Sequence, residues 1–286
     1  MGMELVKKLR EETGAGILAC QKALKETNDN YEEAVDLLRK QGIAKASSKA
    51  DRVASEGLCG VVSNDSGIAV VKLNCETDFV AKNEKFQGLV EKIASVALET
   101  KSKDVEQLAN QTVDGKLVKD LITENIATIG ENIVIGEVKV FELSSGQTAN
   151  YYVHNQVEGN SKLGRIVSFV IANGAESDDA KVLLKQINMH ITAMFPIALT
   201  EESVDKDVLA REKAIYEEQV AQLNKPAEIS AKMVEGKIRK FFEEKVLLKQ
   251  VFVMDNKRTV ANVIADFNKE NGSKLELIHF ERISIQ

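Results

Sequence analysis

Leu58-Cys59-Gly60-Val61-Val62-Ser63-Asn64-Asp65-Ser66-Gly67-Ile68-Ala69-Val70-Val71-Lys72-Leu73-Asn74 is the stretch that decides the fold class. Two short runs rich in β-branched residues flank the turn residues Asn64-Asp65-Ser66-Gly67, which predicts strands over 58–63 and 68–74. Downstream the period changes: Phe86, Leu89, Val90, Ile93, Ala94 and Ala97 recur at helical spacing. A second helical pattern runs through Leu117, Val118, Leu121 and Ile122. Strands follow at Ile133 to Leu143, Ala149 to His154 and Arg165 to Ala172. A helix through Val182, Leu183, Ile187, Ile191 and Met194 stops at Pro196. Strand–strand–helix therefore occurs twice, around 58–98 and 147–195. Gly67-Ile68-Ala69-Val70-Val71 loosely echoes Gly164-Arg165-Ile166-Val167-Ser168. The expectation is an α+β protein with a duplicated core of antiparallel strands and helices.

Upstream, residues 1–42 read as a head of three short helices. Leu5, Val6 and Leu9 share one face, Ile17, Cys20 and Leu24 another, and Tyr31, Ala34, Val35 and Leu38 a third. Asn30 and Glu33 suggest a capping box, and Gly42 suits the position just past a helix end. Residues 43–56, rich in Ala, Ser and Lys, read as a linker. The core then divides into 57–143 and 144–286. Within the second part, 205–245 carries two helical stripes broken at Asn224-Lys225-Pro226, the pattern of an antiparallel helical hairpin. Val260, Val263, Ile264 and Phe267 predict a further helix, and Leu275 to Ile285 a last strand.

Composition limits the function classes. At 286 residues, 44% hydrophobic, the chain can bury a substantial core. No apolar run approaches a membrane span, Met1 to Leu5 lacks a signal-peptide layout, and Lys7 stands where a myristoylation signal needs Ser or Thr; a cytoplasmic address is expected. A net charge of −6 argues against direct nucleic-acid binding. Cys20, Cys59 and Cys75, odd in number and scattered, imply neither a disulfide framework nor a metal site.

Gly14-Ala15-Gly16-Ile17-Leu18-Ala19 matches a dinucleotide fingerprint, but a helix precedes it where a strand is required. It reads as an inter-helix turn, with Thr13 available to cap the second helix. A P-loop is absent, and no cofactor is expected. An enzyme reading would make Cys75 a nucleophile with His154 or His190 as base. It lacks an orienting third group, and both Cys75 and His190 fall in apolar surroundings where packed residues are the rule. Asn74-Cys75-Glu76-Thr77-Asp78-Phe79-Val80-Ala81-Lys82-Asn83 is more informative. Either Thr77 or Asp78 caps a helical turn and Phe79 packs inward, or an acid and an aromatic ring are displayed together on a connection between elements.

Thr77-Asp78-Phe79-Val80, preceded by Asn74-Cys75, resembles a signature of the bacterial elongation factor Ts family. So do Leu5-Val6-Lys7-Lys8-Leu9-Arg10-Glu11-Glu12-Thr13-Gly14-Ala15-Gly16 with Cys20-Gln21-Lys22-Ala23-Leu24, and Lys232-Met233-Val234-Glu235-Gly236 in the helical arm. The resemblance implies a head of the ubiquitin-associated type, a two-part core and the hairpin. It implies no enzyme but a guanine-nucleotide exchange factor that binds elongation factor Tu, both GDP-bound and nucleotide-free. By that resemblance Asp78 and Phe79 enter the nucleotide domain of Tu and dislodge its Mg²⁺, while Thr77 and Val80 shape the loop. Leu9, Arg10 and Gly14 would dock on the same domain; Tyr152, His154, Gly164 and Arg165 would hold another. Gln156 to Lys162 separates the Tyr-x-His element from the Gly-Arg strand more widely than is usual in that family. The arm is a candidate surface for a homodimer. The alternative is an adaptor with a ubiquitin-associated-like head and no effect on GDP release.

Overall fold

The computed structural model describes residues 3–285. Met1 and Gly2, which entered the reading of leader and lipid signals, and Gln286 lie outside them. The chain forms two compact units: one holds the chain to Glu142, Val153–Val167 and the residues from Ile283, the other Leu143–Tyr152 and Ser168–Arg282.

In the first unit, Val6 and Leu9 of α1 (Met3–Thr13), Cys20, Ala23 and Leu24 of α2 (Ile17–Glu26) and Ala34 of α3 (Tyr31–Ser47) close a small apolar core. Ile17 departs from the expected face and is half exposed. The Gly-x-Gly segment is an inter-helix turn: Gly14 takes a left-handed φ of 66° and its N–H donates to Arg10 O at 2.9 Å. Thr13 does not cap α2. It ends α1, where its hydroxyl donates to Leu9 O, and Gly16 takes the cap position with no side-chain bond. Asn30 caps α3 by accepting from Glu33 N, but the Glu33 carboxylate takes the Asn30 side-chain amide and leaves its backbone N–H, so only half of the capping box forms. Gly42 does not end the helix. α3 continues to Ser47, because Ala44, Lys45 and Ala46 are good helix formers. At Gly42 the helix also comes close to another, so that an added Cβ would meet Ala127 Cβ at 3.4 Å.

β1 (Glu56–Asn64) and β2 (Gly67–Cys75) pair antiparallel from Glu56↔Cys75 to Asn64↔Gly67. Asn64 Oδ1 accepts from the Ser66 and Gly67 N–H groups and so closes the turn. Both strands are buried along most of their length, which explains their nearly continuous apolar runs. A single turn, α4 (Asp78–Ala81), leads into α5 (Glu84–Thr100), whose Phe86, Leu89, Val90, Ile93, Ala94 and Ala97 are buried with Leu58, Ala69, Val71 and Leu73 of the strands. α6 (Val105–Ala109) and a minimal hairpin, β3 (Thr112–Val113) with β4 (Lys116–Leu117), precede α7 (Val118–Ile129). β5 (Val134–Glu142) then pairs antiparallel with β2, and Leu163 and Gly164 pair with Gly60 and Cys59 of β1.

β6 (Gln147–Val157) and β7 (Asn160–Asn173) are consecutive strands joined at Glu158-Gly159, where Gly159 has a φ of 76°. Gln156 to Lys162 is thus the end of a β-hairpin, a place where added length is accommodated without disturbing a core. In the second unit α8 (Asp178–Met194) buries Leu183, Leu184, Ile187 and Ile191 with Val170 and Ala172 of β7. Pro196 follows its end, and Phe195 turns the chain with a φ of 54°. α9 (Lys206–Ala221) and α10 (Ala227–Lys245) pack as a pair around Phe241, with Leu209 and Tyr216 partly covered. α11 (Val260–Asn271) adds Val260, Val263 and Ile264 to the core of this unit, and β8 (Glu276–Ser284) pairs with β7. The architecture is α+β with antiparallel strands, as expected. Among the described residues no helix is long and apolar enough to cross a membrane.

Candidate functional site

Where β2 ends, the chain must turn into α5, and residues 76–83 make that turn. Thr77 is extended and its hydroxyl accepts from Val80 N–H, the side-chain cap of α4. Val80 and Ala81 are buried on the core below. A single helical turn cannot bury all its faces, so Asp78 and Phe79 point the other way. Phe79 is 79% exposed, among the most exposed large apolar side chains described. Of the two readings of this stretch, the cap by Thr77 is present and the inward packing of Phe79 is not.

Lys82 holds the displayed pair. Its Nζ lies 2.7 Å from Asp78 Oδ2, one helical turn back, and 6.0 Å from the centroid of the Phe79 ring. The hydrogen bond from Lys82, with a smaller contribution from the charge of Arg165, keeps the Asp78 carboxyl below its ordinary range. The loop's other side is tied down by carboxylates. Glu131 accepts from Glu76 N at 3.1 Å, Thr77 N at 3.0 Å and Thr77 Oγ1 at 2.6 Å. Glu76 in turn accepts from Asn132 N at 2.6 Å, and Arg52 lies 3.6 Å from it. Asn132, buried, donates to the carbonyls of Ala50 and Arg52.

The other residues singled out from sequence fall in different settings. Arg165 pairs with Glu56 at 2.6 Å, and Glu56 O accepts from Asn74 Nδ2 at the base of the same loop. Gly164 permits the close strand approach here, since a Cβ would come within 2.5 Å of Val153 Cγ1 and 2.8 Å of His154 O. Tyr152 and His154 stand two apart on β6, both half-buried, on one face of the strand. Arg10 is exposed near the end of α1, next to the Gly14 turn. Leu9 is not a surface residue: it is 0% exposed in the three-helix core, and any part it takes in docking runs through the helices it supports.

The enzyme reading fails on chemistry. Cys75 is fully buried, its thiol donates to Thr77 O, and burial together with the charges of Glu131 and Glu56 pushes it up to about 12. His190 is sealed in: its Nδ1 accepts from Val253 N and its Nε2–H donates to Gln250 Oε1, with burial lowering its pKa. Neither can serve as a solvent-facing nucleophile or base. Among the described residues no group of three or more His, Cys, Asp and Glu is gathered that could hold a metal ion.

Sequence comparison gives the displayed loop its context. The Elongation factor TS family model matches residues 76–286, from the loop onward. An Elongation factor Ts of Brucella anthropi is 45% identical over 282 residues, covering 98% of this chain and 91% of its own. This chain belongs to the elongation factor Ts family. Proteins of that name from Rickettsia bellii, over 98% of this chain and 90% of their own, and Sphingopyxis alaskensis, over 98% and 91%, are each 44% identical. Members of the elongation factor Ts family are nucleotide-exchange factors in translation elongation; they act by protein–protein contact on elongation factor Tu and are not enzymes.

The Glu131 clamp escaped the sequence reading. Glu131 lies 54 residues from Thr77 in the chain, and nothing local to either residue signals the contact. Lys82, by contrast, was legible as the i+4 partner of Asp78.

Proposed function

We propose that this chain binds elongation factor Tu in its GDP-bound and nucleotide-free forms and speeds GDP release by disturbing the Mg²⁺ that bridges protein and phosphates. Asp78 and Phe79 are the acting pair. The observation that carries this reading is the exposure of the Phe79 ring on a capped turn whose opposite face is buried. A ring held away from its own core can bury a large apolar area in a partner at little ordering cost. Mg²⁺ demands near-ideal octahedral geometry, so displacing its ligands by a fraction of an ångström weakens its hold on GDP. Asp78, kept ionised beside Lys82, brings a negative charge to the same place.

Thr77 and Val80 shape the loop in this reading, one as cap and one as anchor. Arg10 and the Gly14 turn dock the three-helix head, of ubiquitin-associated type, on the nucleotide domain of Tu. Tyr152, His154, Gly164 and Arg165 hold a second domain, and the two strand–strand–helix runs are a duplicated core. The pair α9–α10 is an arm through which two copies associate.

Stopped-flow release of labelled GDP from Tu tests the proposal. Phe79→Ala and Asp78→Ala should each slow the accelerated release at least several-fold while circular dichroism and melting stay close to wild type, because Phe79 is exposed and Asp78 half-exposed. Wild-type acceleration by the double variant would end it.

A further inference from the structure

We infer that Glu131 is a positioning residue for the displayed pair, setting where Asp78 and Phe79 stand without itself meeting the partner. This rests on the exchange reading above.

α4 has four residues, and a helix that short does not sustain itself: nucleation fixes several dihedral angles for one hydrogen bond. Its geometry must come from its surroundings. One carboxylate supplies much of it. Glu131 gathers two successive backbone N–H groups and a hydroxyl, and bonds to an ionised acceptor are about twice as strong as neutral ones.

The hydroxyl matters most. Thr77 Oγ–H has one proton, and at 2.6 Å it is committed to Glu131. The oxygen's lone pairs are then free to face Val80 N–H, which is the cap of α4. Glu131 therefore orients the cap as well as the loop before it. The carboxylate is itself held in place, because Gly130 ends α7 with a φ of 92° and its N–H bonds to Ile126 O. Glu76, just past the end of β2, completes the arrangement by accepting from Asn132 N. Two carboxylates, each accepting from the other's segment, thus fix the turn after α7 against the turn after β2.

Glutamine at position 131 keeps the shape, removes the charge and sets an NH₂ group against donors. The test uses the full chain and measures GDP release from Tu over a range of factor concentrations. Glu131→Gln should lower the maximal release rate by about tenfold, the scale of losing hydrogen bonds to a charged acceptor. The half-saturating concentration should move by no more than about twofold, since distant surfaces contribute independently. In a background carrying both Asp78→Ala and Phe79→Ala the same change should add nothing. Hydrogen exchange at residues 77–81 should quicken while that of α5 does not. Thr77→Val, which removes the hydroxyl and with it both the link to Glu131 and the cap on Val80 N–H, should show the same signature and serves should Glu131→Gln fold poorly.

Wild-type maximal rates in both Glu131→Gln and Thr77→Val, with Phe79→Ala still slow, overturn the role of Glu131 and leave the exchange reading standing. A further loss from Glu131→Gln on top of the Asp78→Ala, Phe79→Ala double variant also overturns it, because the residue would then act elsewhere. If Phe79→Ala itself releases GDP at the wild-type rate, the exchange reading has failed and this role falls with it.

Discussion

The thiol that closes β2 sits under the displayed loop and is chemically silent for a definite reason. Burial, then the carboxylates of Glu131 and Glu56, raise Cys75 from 9.0 to about 12. The folded chain therefore holds this proton more tightly than the unfolded chain does. The resulting stability is intact below about pH 9 and is lost as pH rises towards 12. Cys75→Ala should lower the urea midpoint at about pH 8 through lost packing, and the gap from wild type should shrink at about pH 10.5. A gap that stays constant across that range would contradict the buried, protonated thiol. Asp78 and Lys82 show how far single residues can be read from sequence: their i, i+4 spacing on a turn is visible in the letters. The direction in which Phe79 points is not, because an aromatic residue in a connection packs inward or outward depending on which neighbours reach the core first. Val80 and Ala81 reach it, and Phe79 does not.

At the scale of elements, α5 carries the largest share of the first unit's apolar packing. Ile93 is fully buried among residues of the strands and of its own helix. Ile93→Ala should cost about 2–5 kcal/mol, read from the denaturation midpoint, and should lower the melting of β1 and β2 along with α5. Loss confined to the helix would show that it is not part of one cooperative core. The same elements mark what the sequence discloses. Strands β1, β2 and β5 and helices α5, α8, α9, α10 and α11 announce themselves through sustained period and turn residues. α4, β3 and β4 are too short to have a period. Two local signals misled for physical reasons. Gly42 is an economical helix terminator in isolation, but here it lies inside α3, which the helix formers Ala44, Lys45 and Ala46 carry on to Ser47. Thr13 has the right chemistry for a cap, yet its hydroxyl turns back to Leu9 O. The clamp through Glu131 joins segments distant in the chain, and only the folded molecule brings them together.

Across the whole molecule, exchange is a matter of linkage between two ligands of Tu. Whatever factor this chain takes from the affinity of GDP, GDP must take from the affinity of this chain. Titrating each ligand in the presence and absence of the other should return equal factors; unequal values would mean that a further state or a further ligand is involved. A negatively charged chain gains no affinity from phosphate neutralisation, so its hold on a partner depends on fitted surfaces. The turn that carries Phe79 belongs to such a fitted frame. Excised as a free peptide, Asn74 to Asn83 would lose the borrowed scaffolding of Glu131, Asn132 and β2 and relax into open coil. The displayed turn cannot be grafted as a string of letters; any transplant must carry its buttresses with it.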